Sequence, residues 1–158
     1  MKRLFILLCA ALLSACGSEI IPNANKVDGQ YVGVLQTTSL TDGEVFAEKG
    51  VEFSLQPTAL GTMTLTMHNT HFVAMMPRLT MQVDGIHSEM ENHEHLLSSH
   101  EAHADGIIPT IGGIKYPKYI ITNLSGKRIV SNDDSGIGAL SLTFHCRGYL
   151  VEYMGVTK

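Results

Sequence analysis

The sequence has little of what several protein classes require. It contains no tryptophan, three cysteines and 6% aromatic residues in 158 positions. Its 44% hydrophobic content excludes a disordered chain, and no second long apolar run follows the one at residues 1–15, which excludes a polytopic membrane protein. Basic residues are few as well, with 11 Lys and Arg against 15 Asp and Glu. Since a nucleic-acid-binding protein needs a basic face to replace phosphate counterions, we expect no nucleic acid among its partners.

The N-terminus has the pattern of a bacterial lipoprotein signal. Lys2-Arg3 precede the apolar segment Leu4 to Leu12, which is well short of the ~20 residues that span a bilayer. Leu13-Ser14-Ala15-Cys16 fits the lipobox, in which small residues precede a cysteine that becomes acylated. An ordinary secretory signal followed by a cysteine is the alternative.

Three segments follow from this motif. We expect a signal peptide at 1–15, a lipidated tether at 16–28 and one globular domain at 29–158. Acyl chains on Cys16 would make the lipid bilayer a partner of the protein. Because Gly17-Ser18 follow that cysteine where an aspartate would retain a lipoprotein in the inner membrane, we expect an outer-membrane lipoprotein of the bacterial cell envelope, on either its periplasmic or its surface face.

Beyond the tether, apolar and polar residues alternate with the period of β-strands. The clearest stretch is Leu60 to His68, where Met63, Leu65 and Met67 alternate with threonines. The predicted strands cover residues 30–37, 51–56, 60–68, 78–86, 116–124, 128–131, 138–146 and 149–156. About eight strands in sequence order predict an all-β fold, either an antiparallel up-and-down barrel or a sandwich. The first and last strands are apolar on both faces, which favours the closed barrel because open edges are usually polar.

From about Gln30 to Lys158 the chain resembles the calycin-like β-barrel domain of lipoproteins of the Bacteroidetes. The resemblance is carried by Tyr31-Val-Gly33-Val-Leu35, Val51-Glu-Phe53, Gly61 to Met67, Leu79 to Ile86, and Leu140-Ser-Leu-Thr-Phe144. It implies a lipocalin-like barrel of about eight strands and no established activity. Gly29-Gln30-Tyr31 stands where classical lipocalins have Gly-x-Trp.

A binding function is predicted for the barrel. An eight-stranded barrel has an interior that side chains fill or that holds one small ligand. We expect a small apolar or amphipathic ligand, and the residues expected to line its site are Phe53, Met63, Leu65, Met67 and Met81. The sequence has neither a Gly-x-Ser-x-Gly elbow nor a phosphate-binding loop, so we expect no enzymatic activity. A solid barrel that acts as an interaction or adhesion module is a further alternative.

Histidines are concentrated in one segment. Five of the eight lie between positions 87 and 103, interleaved with acidic residues. Ser88 as N-cap, Glu91 three residues later and Gly106 as a stop predict a short helical insertion, with a flexible loop as the alternative. Imidazole and carboxylate groups are zinc ligands, so the alternative function is a periplasmic or surface zinc-binding protein that uses segment 87–105, with candidate ligands His93, His95, His100 and His103. Two other interpretations remain open: a solvated polar insertion, and a pH-responsive segment.

The positions of the three cysteines predict a mature domain without a disulfide bond. Cys9 would leave with the signal peptide and Cys16 would become a thioether, so that Cys146 has no partner in the mature chain. Cys146 shares an alternating face with Leu142 and Phe144, which predicts a buried apolar side chain.

Overall fold

The computed structural model describes residues 29–58, 61–92, 94–99, 105–130 and 137–158. The predicted signal peptide, the lipidation site Cys16 and the tether lie outside these residues. The described residues form ten β-strands and one 3-10 turn. These are β1 (Gly29–Ser39), β2 (Val45–Pro57), β3 (Met63–Thr70), β4 (Leu79–Glu91), β5 (Glu94–Ser99), β6 (Thr110–Ile111), β7 (Ile114–Lys115), the 3-10 turn (Pro117–Tyr119), β8 (Ile121–Val130), β9 (Gly138–Cys146) and β10 (Tyr149–Thr157).

Eight of these strands close into a barrel. Their order is β3-β2-β1-β10-β9-β8-β5-β4, and a pairing between β3 and β4 closes the circle. All of the paired strands are antiparallel. Strands β6 and β7 form a small hairpin that joins β4 through the pair Gln82 and Thr110. The predicted all-β, up-and-down barrel is confirmed.

The core of the protein is the inside of this barrel. In β9 every second residue from Gly138 to Cys146 is buried, and the residues between them are at least partly exposed. The alternation seen in the sequence therefore separates the lumen from solvent. At the centre, the rings of Phe53 and Tyr153 stack with centroids 3.9 Å apart. Side chains from the two strands that flank β1 thus meet inside the barrel.

A pair of glycines allows the first and last strands to approach closely. Gly33 on β1 lies opposite Gly155 on β10. A Cβ atom on Gly33 would lie 2.0 Å from the carbonyl oxygen of Met154, far inside van der Waals contact. Any side chain at Gly33 would therefore push apart the seam that closes the barrel.

The two ends of the barrel differ. We call the end at which β1 begins at Gly29 and β10 ends at Thr157 the terminal end. We call the opposite end the plugged end, because the segment 71–78 between β3 and β4 turns inward there and buries Phe72 and Met76. The Phe72 ring packs edge-on against that of Phe144, and the Thr37 hydroxyl donates a hydrogen bond to the Phe72 carbonyl.

The predicted helix beginning at Ser88 is wrong. In its place β4 continues to Glu91 and pairs with β5, with Ser88 opposite Leu97. Because each of these strands also pairs with a second neighbour, backbone hydrogen bonding along the sheet outweighs the local capping signals. Residues 100–104, the rest of the histidine segment, lie outside the described part of the chain.

The predicted gap between the strands at 116–124 and 128–131, which contains Ser125 and Gly126, is also wrong. Strand β8 runs through it, with Gly126 opposite Leu142. A Cβ on Gly126 would lie 2.3 Å from the Ser141 carbonyl oxygen, so this glycine permits close approach of two strands instead of a turn. The strand predicted from Tyr116 begins later, because Pro117 starts a 3-10 turn and cannot donate to a sheet.

No helix within the described ranges is long and apolar enough to cross a membrane.

Candidate functional site

The five residues predicted to line a ligand site form one continuous inner wall. Register places Phe53 of β2 opposite Met67 of β3, and Met67 opposite Met81 of β4. Leu65 and Met63 extend this wall toward the terminal end, and all five side chains are fully buried. The four surface pockets whose linings the structure describes are lined by other residues. In this conformation the wall packs against other side chains of the core.

Arg128 is the unexpected residue of the interior. It lies on β8 near the terminal end, points into the barrel and is only 5% exposed. Its Nε–H donates a hydrogen bond to the hydroxyl of Tyr31 on β1, and its guanidinium carbon lies 6.0 Å from the Tyr31 ring centroid. Since β9 and β10 separate β8 from β1 in the sheet, this bond crosses the lumen. It joins two opposite walls of the barrel.

The charge of Arg128 is not paired with a carboxylate of the described residues. Its Nη1 is buried without a hydrogen-bond partner among them. On the other side, Nη2 packs against Gly138, where a Cβ would lie 3.1 Å away. A guanidinium stays charged at any pH that a protein tolerates, and burying an unpaired charge is costly. The terminal end therefore holds a positive group with a donor that no described residue uses.

His95 is the only proposed zinc ligand within the described residues. It is buried on β5, facing inward, with Arg128 directly opposite it on β8 and Met90 opposite it on β4. The neighbouring guanidinium repels a cation, so this is an unfavourable position for a metal ligand. His93, His100 and His103 lie outside the described residues, and within those residues no group of three His, Cys, Asp or Glu could hold a metal ion. The zinc site stays a prediction from sequence.

The plugged end carries a second polar cluster, and there the charges are paired. The Glu48 carboxylate on β2 accepts a hydrogen bond from Arg78 and lies 3.1 Å from the Nε2 atom of His71. Arg78 also donates to the carbonyl oxygen of Asn69 at 3.1 Å. The ring of Phe46 meets the His71 ring edge-on at 5.2 Å. These contacts fasten the segment 71–78 to β2, which indicates a structural role.

Cys146 is confirmed as a buried apolar residue. It is a free thiol, 1% exposed, and its Sγ donates a 3.4 Å hydrogen bond to the Tyr119 carbonyl. Burial raises the pKa of the Cys146 thiol to about 12. At neutral pH the group is therefore protonated, which removes it as a nucleophile.

The outer surface offers a shallow apolar groove of about 430 Å³. Strands β8, β9, β10 and β1 form it, and the exposed side chains of Ile129, Met154 and Val156 are among its walls. Met154 is 70% exposed. This groove is separate from the inner wall and faces away from Arg128.

Sequence reasoning missed Arg128 because it divided β8 into two strands. With β8 continuous, Gly126 and Arg128 fall on the inward face together with Leu124, after the register shift that precedes Ser125. An arginine on the inward face of a barrel strand would then have stood out. Its contact with Tyr31 joins residues 97 positions apart, and no local pattern signals such a pair.

Comparison of the chain with protein-family models, with curated proteins and with solved structures finds no match in any of the three. The resemblance to calycin-like domains therefore depends on architecture alone, a closed antiparallel barrel of eight strands. An architecture of this kind supports many functions, so the function has to be argued from the site.

Proposed function

We propose that this protein is a lipid-anchored, non-catalytic binding protein whose barrel takes up one small amphipathic molecule. The observation that carries the proposal is the composition of the inner wall, which is apolar and rich in methionine. Four of the eight methionines belong to the buried core: Met63, Met67, Met76 and Met81.

Methionine suits a barrel whose interior is filled by side chains when no ligand is bound. Its side chain is unbranched, turns about three bonds and repacks at small cost. A ligand can therefore enter by displacing these side chains, whereas a wall of β-branched residues would resist. Met90, which faces inward at the terminal end and is 43% exposed, marks the mouth at which such a molecule would enter.

The anchor supports the same proposal. Acylation of Cys16 would leave a tether of 12 residues, 17–28, before β1. Because β1 begins at the terminal end, the tether joins the barrel at the end that carries Met90 and Arg128. A mouth held close to a bilayer is suited to amphipathic molecules, which partition into that bilayer.

A neutral fluorescent probe tests the proposal. N-Phenyl-1-naphthylamine emits strongly only in an apolar environment, and we expect it to bind the purified protein at one site. The double variant Met67→Phe/Met81→Phe fills the lumen with two larger and stiffer side chains, and it should bind the probe at least ten-fold more weakly.

The matched control is Met154→Lys, which places a charge in the outer groove and leaves the lumen unchanged. It should bind the probe as the wild type does. If Met154→Lys abolishes binding and the double variant retains it, the outer groove is the binding site and the proposal is overturned.

A further inference from the structure

We infer that Arg128 forms an anion-binding site inside the terminal end of the barrel, and that the ligand is an amphiphile with one carboxylate group. The inference rests on the proposed function and narrows its ligand class. It assigns the carboxylate to the unused Nη1 donor of Arg128 and the apolar chain to the methionine-rich wall.

Arg128 differs from two other basic residues, Lys127 and Lys158, whose ion pairs the structure describes. Lys127, its neighbour on β8, lies 3.4 Å from a Glu94 oxygen, and Lys158 lies 2.9 Å from Glu52. Those pairs lie at the surface, where water would solvate the charges in any case. Arg128 is the base that needs a counter-charge most, because it is 5% exposed and has no carboxylate of the described residues beside it.

The donor geometry favours a small monoanion. The Nε–H of Arg128 is used by the Tyr31 hydroxyl, and Nη1 has no partner among the described residues. A carboxylate accepts hydrogen bonds from a guanidinium in a planar arrangement and neutralises a single charge. A phosphate dianion would need further donors or cations beyond this one arginine.

The surroundings favour an apolar body behind the anionic group. Leu140 lies opposite Arg128 on β9, and Leu97 follows the neighbouring His95 by one step on the same inward face. Both leucines are buried. A carboxylate at Arg128 would thus be continuous with an apolar path that leads toward Met63 and the centre of the barrel.

One competitor is part of the chain itself. Residues 131–136 follow β8 directly and include Asp133 and Asp134, whose placement lies outside the described residues. Either carboxylate could supply the counter-charge in place of a ligand. The experiment must therefore separate these two sources of negative charge.

The test compares two molecules of equal chain length. Decanoate and decanol are titrated into the full protein by calorimetry at pH 7.5, below the critical micelle concentration of decanoate. We expect decanoate to bind at least ten-fold more tightly than decanol. Arg128→Met should bind both molecules equally, with the affinity for decanol kept. Lys127→Met removes a charge from the next residue of the same strand, on the outer face, and should keep the preference of the wild type.

Each other outcome overturns the inference. Equal affinities in the wild type, or a preference that survives in Arg128→Met, would show that Arg128 does not select an anion. A preference that appears only in Asp133→Asn/Asp134→Asn would show that the chain's own carboxylates occupy the site.

Failure of the inference can be told from failure of the proposed function. If decanol binds and decanoate binds no better, the anion site alone is wrong. If neither molecule binds the wild type, both proposals are wrong. The far-UV circular dichroism spectrum establishes that each variant is folded, and Arg128→Lys, which keeps a positive charge with fewer donors, should show an intermediate preference.

Discussion

Each end of the barrel holds an arginine, and the two arginines differ in exposure and in ion pairing. At the plugged end, Arg78 is 46% exposed at its side chain and shares the Glu48 carboxylate with His71. At the terminal end, Arg128 is buried, and among the described residues only the Tyr31 hydroxyl accepts a hydrogen bond from its side chain. The accessible charge is paired with a carboxylate, and the inaccessible one has no carboxylate partner within the described part of the chain.

Under the proposed function, the plugged end would close the barrel and the terminal end would bind the ligand. The plugged end combines aromatic packing with paired charges, and both stabilise the fold. The terminal end holds a buried charge without a counter-charge among the described residues, and a buried charge without a partner is costly. The predictions below test this division, beginning with the largest effect.

Truncation of Phe72 in the segment 71–78 should lower the free energy of unfolding by the largest amount. Phe72→Ala deletes a buried ring that packs against Phe144, and large-to-small changes of this kind cost about 3–5 kcal/mol. The free energy of unfolding from urea denaturation measures the loss. Met75→Ala, in the same segment but 95% exposed, should change it by less than about 0.5 kcal/mol. Similar losses for the two variants would contradict the role of Phe72 as a plug.

Alkaline pH should lower the free energy of unfolding, because the thiol of Cys146 and the hydroxyl of Tyr153 are buried. Burial raises the pKa of Cys146 to about 12 and raises the pKa of Tyr153 well above its ordinary value. The unfolded chain thus loses these protons at lower pH than the folded one, so stability is full below pH 9 and falls as the pH rises through 9 to 12. The slope is at most about 1.4 kcal/mol per pH unit for each group.

Urea denaturation at a series of pH values measures this slope. Cys146→Ala should reduce it, whereas Lys127→Met should leave it unchanged. A stability that stays constant between pH 9 and 11 would contradict the burial of these two groups.

At the terminal end, Arg128→Met should keep or raise the stability of the fold, whereas Phe72→Ala lowers it. It replaces a buried charge, which has no carboxylate partner among the described residues, by an apolar side chain of similar length, and this removes a desolvation penalty of roughly several kcal/mol. We expect the thermal midpoint of the ligand-free variant to equal or exceed that of the wild type. A clear drop would show that Arg128 is a structural residue with an intramolecular counter-charge.

The smallest change in the free energy of unfolding is expected for the ion pairs of Glu48 at the plugged end. Glu48→Gln removes a carboxylate that lies between Arg78 and His71, and partly exposed ion pairs are worth about 0.5–1 kcal/mol. Urea denaturation should show a loss in this range, and 1 M NaCl should reduce the difference between variant and wild type. An unchanged difference in salt would contradict an electrostatic origin.

The sequence predicted those parts of the fold in which burial repeats locally. The alternation in β3 places Met63, Leu65 and Met67 on the inner face as expected, and β9 has the predicted bounds Gly138–Cys146. The alternation is reliable here because each of these strands has one face in the lumen and one in solvent.

Prediction was wrong where distant pairing decides the structure. Strand β5 forms because β4 and β8 flank it, although the capping signals around Ser88 favour a helix. The Arg128 site depends on Tyr31, and these residues meet only when the barrel closes. The two described histidines of the segment, His87 and His95, lie on strands β4 and β5 of the barrel wall instead of in a separate insertion.

The seam between β1 and β10 has a consequence for how the protein is made. Tyr31 pairs with Thr157, so the first strand of the barrel bonds to the last one along nine residue pairs. A growing chain has no partner for β1 along this seam until β10 has emerged. The barrel therefore closes only after β10 is available, and a chain that stops before Tyr149 would leave two unpaired edges open to aggregation.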